Sequence, residues 1–317
     1  MINKIGIIGG GNIGGVLVSE IVSRRLARNV GLVDVKPPEF AKGKCLDIAE
    51  ATPVFGRDVN VEGSKTYEVI ADADFVINTA GVPRKARPDG SFPSREELLA
   101  TNLKITDLVA KGIKKYAPDA FVISIANPLD AIVYRLFKKM RWKANKIMGM
   151  AGVLDSSRYK YFVAAEANVS VENIEAVVLG GHGDTMVPIR SACRIYGLPV
   201  EQFVSKTALA NIEKRTRGAG GEVVGLLGSG SAFVSPAISA LEMVEAIAFD
   251  KRKIVPVAAY LKGEYGVKNL FVGVPVILGK NGIEEIIKIK LTPAEKKALR
   301  VSINAVKKTS AEVDKVK

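Results

Sequence analysis

Cysteine and histidine are almost missing from this 317-residue chain: Cys45, Cys193 and the lone His182 are all it has. Two distant cysteines make neither a C-x-x-C pair nor a disulfide framework, so a reducing compartment is expected. They and one imidazole are too few to assemble a metal-ligand cluster, and no metal is expected. No stretch approaches the roughly 20 apolar residues a membrane helix needs. The start, MINKIGIIGG, lacks the basic region, unbroken apolar stretch and small-residue cleavage site of a secretory signal. A cytoplasmic protein with no membrane partner follows as the expectation. Basic residues outnumber acidic ones by 46 to 33, a net charge of +13. The lysines are spread along the chain without interleaved aromatics, so the charge is read as a solvated surface that favours acidic small molecules, and nucleic acid is not an expected partner.

What is present is an ordinary globular composition, 48% hydrophobic and 25% charged, in a length that suggests two domains or one large α/β unit. The first half alternates. Strands are predicted at Ile5–Ile8, Gly31–Val35, Val59–Val61, Asp74–Thr79, Phe121–Ile125 and Lys146–Met150, with helices at Ile13–Ala27, Ala41–Ala51, Pro93–Ala117 and Asp130–Met140 between them. That rhythm implies crossover units and a doubly wound parallel sheet of the Rossmann type. After about residue 150 it changes to an α+β pattern. Helices are expected at Asp155–Ala167, Leu209–Leu227 (broken by glycines), Pro236–Phe249 and Pro293–Val313. Strands are expected at Ile174–Leu179, Pro188–Ile195, Val255–Leu261 and Val272–Leu278. The reading is α/β: a Rossmann domain over residues 1–148 and an α+β catalytic domain over residues 149–317.

Gly9-Gly10-Gly11-Asn12-Ile13-Gly14 fits G-x-G-x-x-G, follows an apolar strand and opens a helix, the context the fingerprint requires. Gly9 suits the tight turn, Gly11 lets backbone approach a pyrophosphate, and Gly14 lets helix and strand pack closely. The helix N-terminus then faces phosphate charge. Asp34 follows Gly14 by 20 residues at the end of the second strand. A carboxylate there accepts from ribose hydroxyls and repels a 2′-phosphate, which favours NAD over NADP.

His182 lies in a glycine-rich loop, Leu179-Gly180-Gly181-His182-Gly183-Asp184. Any imidazole acid–base chemistry near neutral pH must use it. A histidine base needs an orienting acceptor. Asp155 starts a predicted helix and Arg158 stands three residues on, so the two share one face. The carboxylate suits fixing a histidine tautomer and the guanidinium suits gripping a substrate carboxylate. The same pair also suits a plain surface ion pair, and the residues alone leave both readings open.

Together Gly9–Gly14, Asp34, Asn127-Pro128-Leu129-Asp130, Ala151–Arg158, Gly180–Asp184 and Gly273-Val274-Pro275 resemble the lactate/malate dehydrogenase superfamily, most closely its lactate-dehydrogenase-like malate dehydrogenases, over nearly the whole chain. The resemblance implies NAD as cofactor, held by Gly9, Gly11, Asn12, Ile13, Gly14 and Asp34. Thr79, Ala80 and Gly81, then Asn102, Ile125 and Asn127, would lie further along the dinucleotide. It implies His182 as proton donor and acceptor, Asp155 as its partner, Arg158 on the substrate's C1 carboxylate and Asn127 beside the substrate. It also implies a homo-oligomer, a tetramer favoured over a dimer, and a place in the tricarboxylic acid cycle.

Pro83-Arg84-Lys85 resembles the malate-type segment, in which Arg84 takes the distal carboxylate of malate or oxaloacetate. A closed site that left Arg84 unpaired against pyruvate would cost about 3–5 kcal/mol. Ser94-Arg95-Glu96-Glu97-Leu98 resembles the start of the helix after the mobile loop, with Arg95 as the catalytic arginine that polarises the carbonyl. One departure stands out. Nine residues, Ala86 to Ser94, separate Lys85 from Arg95, more than the family pattern holds. This extended loop carries Arg87, which competes for the roles of Arg84 or Arg95. The loop keeps lactate or dual-specificity 2-hydroxy-acid dehydrogenase open as the alternative to malate dehydrogenase; a surface extension without consequence is the plainer reading.

Overall fold

The computed structural model describes residues 2–37, 39–82, 94–228 and 230–316, apart from the side chain of Arg95. Arg84, Arg87 and nearly all of the extended loop lie outside the described residues.

The first half contains β1 (Ile2–Ile8), α1 (Asn12–Arg24), β2 (Ala27–Val33), α2 (Phe40–Glu50), α3 (Thr52–Phe55), β3 (Asn60–Ser64), β4 (Phe75–Asn78), α4 (Arg95–Tyr116), β5 (Phe121–Ser124), α5 (Leu129–Met140) and β6 (Ile147–Gly149). Their strands pair in the parallel order β3-β2-β1-β4-β5-β6. The order reverses between β1 and β4, and a doubly wound sheet opens its ligand crevice at that switch point. The last four residues of β1 and β2 and all of β4 are buried, as central, helix-covered parallel strands must be, whereas the edge strand β3 keeps Asn60 and Glu62 exposed.

The second half contains α6 (Gly152–Ala167), β7 (Ile174–Glu175), β8 (Val178–Leu179), β9 (Val187–Pro188), β10 (Arg194–Ile195), β11 (Leu198–Pro199), α7 (Lys206–Leu227), α8 (Val234–Ala248), β12 (Lys253–Lys262), β13 (Lys268–Gly279), β14 (Gly282–Ile286) and α9 (Pro293–Lys315). The antiparallel ribbon β12-β13-β14 joins the edge of the parallel sheet where Ala258 pairs with Gly149, so nine strands form one sheet across both halves. One apolar cluster likewise includes Leu17 and Ile21 of α1, Met243 and Val244 of α8, and Val257 and Val274 of the ribbon.

Several expected elements differ. The first helix does not reach Ala27: Arg25 takes a left-handed conformation, φ 53°, that closes α1 and lets β2 begin at Ala27. The expected strand Ile174–Leu179 is two strands, and a 3₁₀ turn at Arg190–Ala192 interrupts Pro188–Ile195. The helix expected to break at glycines is continuous, since α7 runs from Lys206 to Leu227 with Leu209, Ile212, Thr216 and Ala219 buried. Each interior glycine costs about 0.5–1 kcal/mol against alanine, and packing on that buried face offsets it. α4 starts at Arg95, where Ser94 and Glu97 form a capping box. β14 carried too weak a pattern to be expected. No helix of the described residues is long and apolar enough to cross a membrane.

Candidate active site

The crevice at the switch point begins with the glycine loop between β1 and α1. A methyl group on Gly14 would stand 2.0 Å from the Gly9 carbonyl oxygen, whereas one on Gly11 meets no atom within 4 Å. Gly14 therefore serves the packing of the loop itself, and Gly11 faces open space. No side chain caps α1 at Gly11 and its first turn carries no acid, so the helix presents N–H donors and a positive dipole end outward. At the tip of β2 the Asp34 carboxylate, 8% exposed, accepts the Gly10 N–H at 2.6 Å and the Lys36 N–H at 2.9 Å. Each oxygen retains a lone pair for a hydroxyl. An open glycine cradle, an uncapped helix end and a carboxylate at the second strand fit a dinucleotide.

The opposite wall comes from β4. Thr79 Oγ1 donates to the carbonyls of Ile8 and Gly9 at 3.1 and 2.9 Å, fastening the glycine loop. Ala80 N–H bonds Asn78 Oδ1 at 3.1 Å, and Gly81 is exposed. Asn102, 2% exposed, spends its amide on backbone: it accepts from Val82 at 2.7 Å and donates to the carbonyls of Val82 at 3.2 Å and Asn127 at 3.1 Å. It thus ties the β4 exit to Asn127, whose own residue is exposed. Asn12 is exposed and Ile13 half-buried at the start of α1. The Ile125 side chain is different. It is 3% exposed within the main apolar cluster, just past the end of β5.

The α6 start and the β8–β9 connection meet beside this crevice. Asp155 is 2% exposed. Its Oδ2 lies 2.9 Å from His182 Nδ1, and its Oδ1 lies 3.4 Å from Arg158 Nη1. One carboxylate thus holds both the imidazole and the guanidinium that the sequence placed far apart. Gly220 of α7 keeps that side of Arg158 clear, since even an added methyl would be 3.8 Å from Nη2. Burial pulls the Arg158 value downward against the pull of Asp155. Burial acts the same way on His182, but the Asp155 carboxylate, by charge and hydrogen bond, and Asp130 outweigh it, so the imidazole sits above its ordinary value.

Backbone contacts from three elements hold the histidine turn. Gly180 exchanges two hydrogen bonds with Gly273 of β13, each 2.9 Å. Gly181 N–H donates to Ser302 Oγ of α9 at 2.9 Å, and His182 N–H donates to Asp130 Oδ2 of α5 at 3.0 Å. Ser302 carried no motif that marks it. Asp130 stood inside Asn127–Asp130 without a role. Lys44, whose amine bonds the Gly11 carbonyl at 3.2 Å, was likewise unmarked. Arg84 and the Arg95 side chain are outside the described residues, so their expected places are not described. Among the described residues, no group of three or more His, Cys, Asp or Glu stands where it could hold a metal ion.

Residues 3–149 match the family described as lactate/malate dehydrogenase, NAD binding domain, and residues 152–316 match lactate/malate dehydrogenase, alpha/beta C-terminal domain. The chain is 45% identical over 312 residues to the malate dehydrogenase of Rhodopirellula baltica, covering 98% of this chain and 97% of that protein. The malate dehydrogenase of Salinibacter ruber superposes with a TM-score of 0.92 at 39% identity, covering 99% and 98% of the two chains. The lactate dehydrogenase of Cryptosporidium parvum, solved with lactic acid and nicotinamide adenine dinucleotide, superposes at 0.93 and 40%, covering 99% of each. With both domain models matched in order and a relative this similar along its length, the chain belongs to the lactate/malate dehydrogenase family.

Proposed function

We propose that this chain is an NAD-dependent malate dehydrogenase that interconverts malate and oxaloacetate. The observation that carries the chemistry is the Asp155 carboxylate shared by His182 Nδ1 and Arg158 Nη1 beside a dinucleotide crevice. Full-length similarity to a malate dehydrogenase supports the dicarboxylate substrate.

Gly9, Gly11, Asn12, Ile13 and Gly14 would hold the pyrophosphate of NAD, with Asp34 on the adenosine ribose and Thr79, Ala80 and Gly81 along the opposite wall. The bound cofactor supplies the hydride donor in one direction and its acceptor in the other. Arg158 takes the substrate carboxylate next to the reacting carbon, by the two-pronged geometry a guanidinium offers. Asp155 keeps the proton on Nδ1 of His182, so the other ring nitrogen faces the substrate oxygen. In reduction His182 gives that oxygen a proton, and Asp155 stabilises the imidazolium beforehand; in malate oxidation His182 takes the proton back. Asn127 is assigned beside the substrate, Arg84 to its distal carboxylate, and Arg95 to the carbonyl as charge develops.

The test is NADH oxidation by purified protein with oxaloacetate and pyruvate in parallel. Strong preference for oxaloacetate, abolished in Arg84→Gln, supports the assignment. Comparable rates with pyruvate favour a lactate or dual-specificity enzyme, the reading that the lactate dehydrogenase likeness and the extended loop support. We further assign a cytoplasmic site of action in the tricarboxylic acid cycle and a homotetramer. Exposed apolar side chains support an oligomer: Leu46 of α2, Val54 and Phe55 of α3, and Leu226 and Leu227 of α7. Light scattering after gel filtration measures its size.

A further inference from the structure

Asp130 is a carboxylate in contact with the His182 turn that has no assigned role. The residue is partly exposed, but its Oδ1 is sealed from solvent and, among the described residues, has no hydrogen-bond partner. Its Oδ2 accepts the His182 N–H at 3.0 Å. A buried charge with an unused oxygen is costly, so its retention at this spot calls for a reason. The turn is built around it. A methyl group on Gly181 would stand 3.1 Å from Asp130 Oδ2 and 2.5 Å from Val306 Cγ2, so α5 and α9 close on the turn from two sides only because Gly181 is bare.

We propose that Asp130 is the positioning residue of the catalytic histidine: it holds the His182 main-chain N–H and so fixes the turn from which the imidazole reaches Asp155. The proposal deepens the reading of His182 as proton donor and rests on it. Asp130 also places a second negative charge near the imidazole. Among the described residues, the titratable and charged groups around it are His182 on the turn and Asp155 and Arg158 on α6. α9 contributes Ser302 and Val306, and β13 contributes Gly273, none of which titrates. Burial raises the Asp130 carboxyl to about 6, His182 opposes that rise, and Asp155 adds to it. Asp130 stands at the first turn of α5, where the helix dipole favours an anion.

His182 is the only histidine, so one pair of imidazole resonances in the NMR spectrum reports its titration without any turnover. Asp130→Asn keeps an acceptor oxygen and removes the charge; Asp130→Ala removes both. In Asp130→Asn the His182 midpoint falls by about half a pH unit or more. In Asp130→Ala, kcat for oxaloacetate reduction falls about tenfold below that of Asp130→Asn at pH 6, with the NADH Kd unchanged. A midpoint unmoved in Asp130→Asn, or equal kcat in the two variants, overturns the proposal. If Asp130→Ala does not fold, the Asp130→Asn titration decides. A wild-type protein that reduces no 2-oxo acid defeats the functional reading separately, because the titration needs no substrate.

Discussion

Two glycines of one motif should fail in different ways when given a methyl group. At Gly14 the new carbon would lie 2.0 Å from the Gly9 carbonyl oxygen. Real contacts of this kind do not fall below about 3 Å, so backbone on one side must move by roughly 1 Å, an overpacking cost of about 1–3 kcal/mol. Alanine regains at most about 1 kcal/mol as the better helix former. A backbone contact this short belongs at the upper end of that range, so Gly14→Ala is expected to lower stability by about 2 kcal/mol, at about 2–4 °C in Tm for each kcal/mol, and to weaken NADH with it. At Gly11 the methyl meets nothing within 4 Å. Losing glycine at a helix cap and restricting the unfolded chain act in opposite directions, each by about 1 kcal/mol or less, so Tm hardly moves. The methyl does occupy the space assigned to the pyrophosphate. NADH affinity in Gly11→Ala should fall about tenfold or more, at least 1.4 kcal/mol. Thermal unfolding of the free protein and a fluorescence titration with NADH separate the two effects. An unchanged Kd in Gly11→Ala would refute the placement of the cofactor on this loop. A Gly14→Ala protein as stable as wild type would refute the packing role of Gly14.

Asp155→Asn removes the carboxylate that lies 2.9 Å from His182 and 3.4 Å from Arg158. The His182 pKa should fall, because the carboxylate that holds it up by charge and hydrogen bond is gone, and kcat/KM for reduction should fall about tenfold or more at pH 7.5. The raised His182 value also has a sign for stability: its contribution is full below the unfolded imidazole's pKa and is lost as pH rises through the folded one. A Tm series against pH should show that loss in wild type and not in Asp155→Asn. Asp34→Ala deprives the Gly10 and Lys36 N–H groups of their acceptor and should cost about 1–3 kcal/mol. It should also raise NADPH use relative to NADH in parallel rate assays. Arg135 holds Asp107 through two bonds of 2.7 and 2.8 Å and the Val316 carbonyl at 2.7 Å. Arg135→Met should therefore destabilise by about 2 kcal/mol or more in urea. Burial opposes ionisation of Asp107, but Arg135 and Lys139 hold its value below the ordinary one. The stability this provides is present above the unfolded carboxyl's pKa and disappears as pH falls through the lowered one.

The Rossmann half was legible because buried parallel strands leave unbroken apolar runs such as Phe75-Val76-Ile77, and glycine loops punctuate them. Two-residue strands such as β8 and β10 were not, because so short a segment has no period to read. α7 misled through its glycines, whose local preference is outweighed by packing against the rest of the chain. In the site, the three-residue spacing put Asp155 and Arg158 on one face, and the family resemblance made Asp155 the partner of His182. That Asp155 bridges the other two depends on how the histidine turn is suspended, and no local signal marks Ser302 or Gly273 as its supports. Asn102, placed along the dinucleotide by the resemblance, also ties the backbone of Val82 to that of Asn127, contacts that no local pattern announces.

The pairing of Ala258 with Gly149 splices the ribbon of the second half onto the parallel sheet of the first, and one apolar cluster runs beneath the seam. A seam of this kind transmits melting as well as load. Neither half retains a complete apolar interior when the other is removed, so the loss of the second half exposes the edge of β6, which β12 pairs, together with the face of α1 that α8 covers. Unfolding is then expected to be a single cooperative event, with coincident transitions by different probes. A lesion in the histidine-bearing half reaches the cofactor crevice through the core, even where no side chain links the two sites directly.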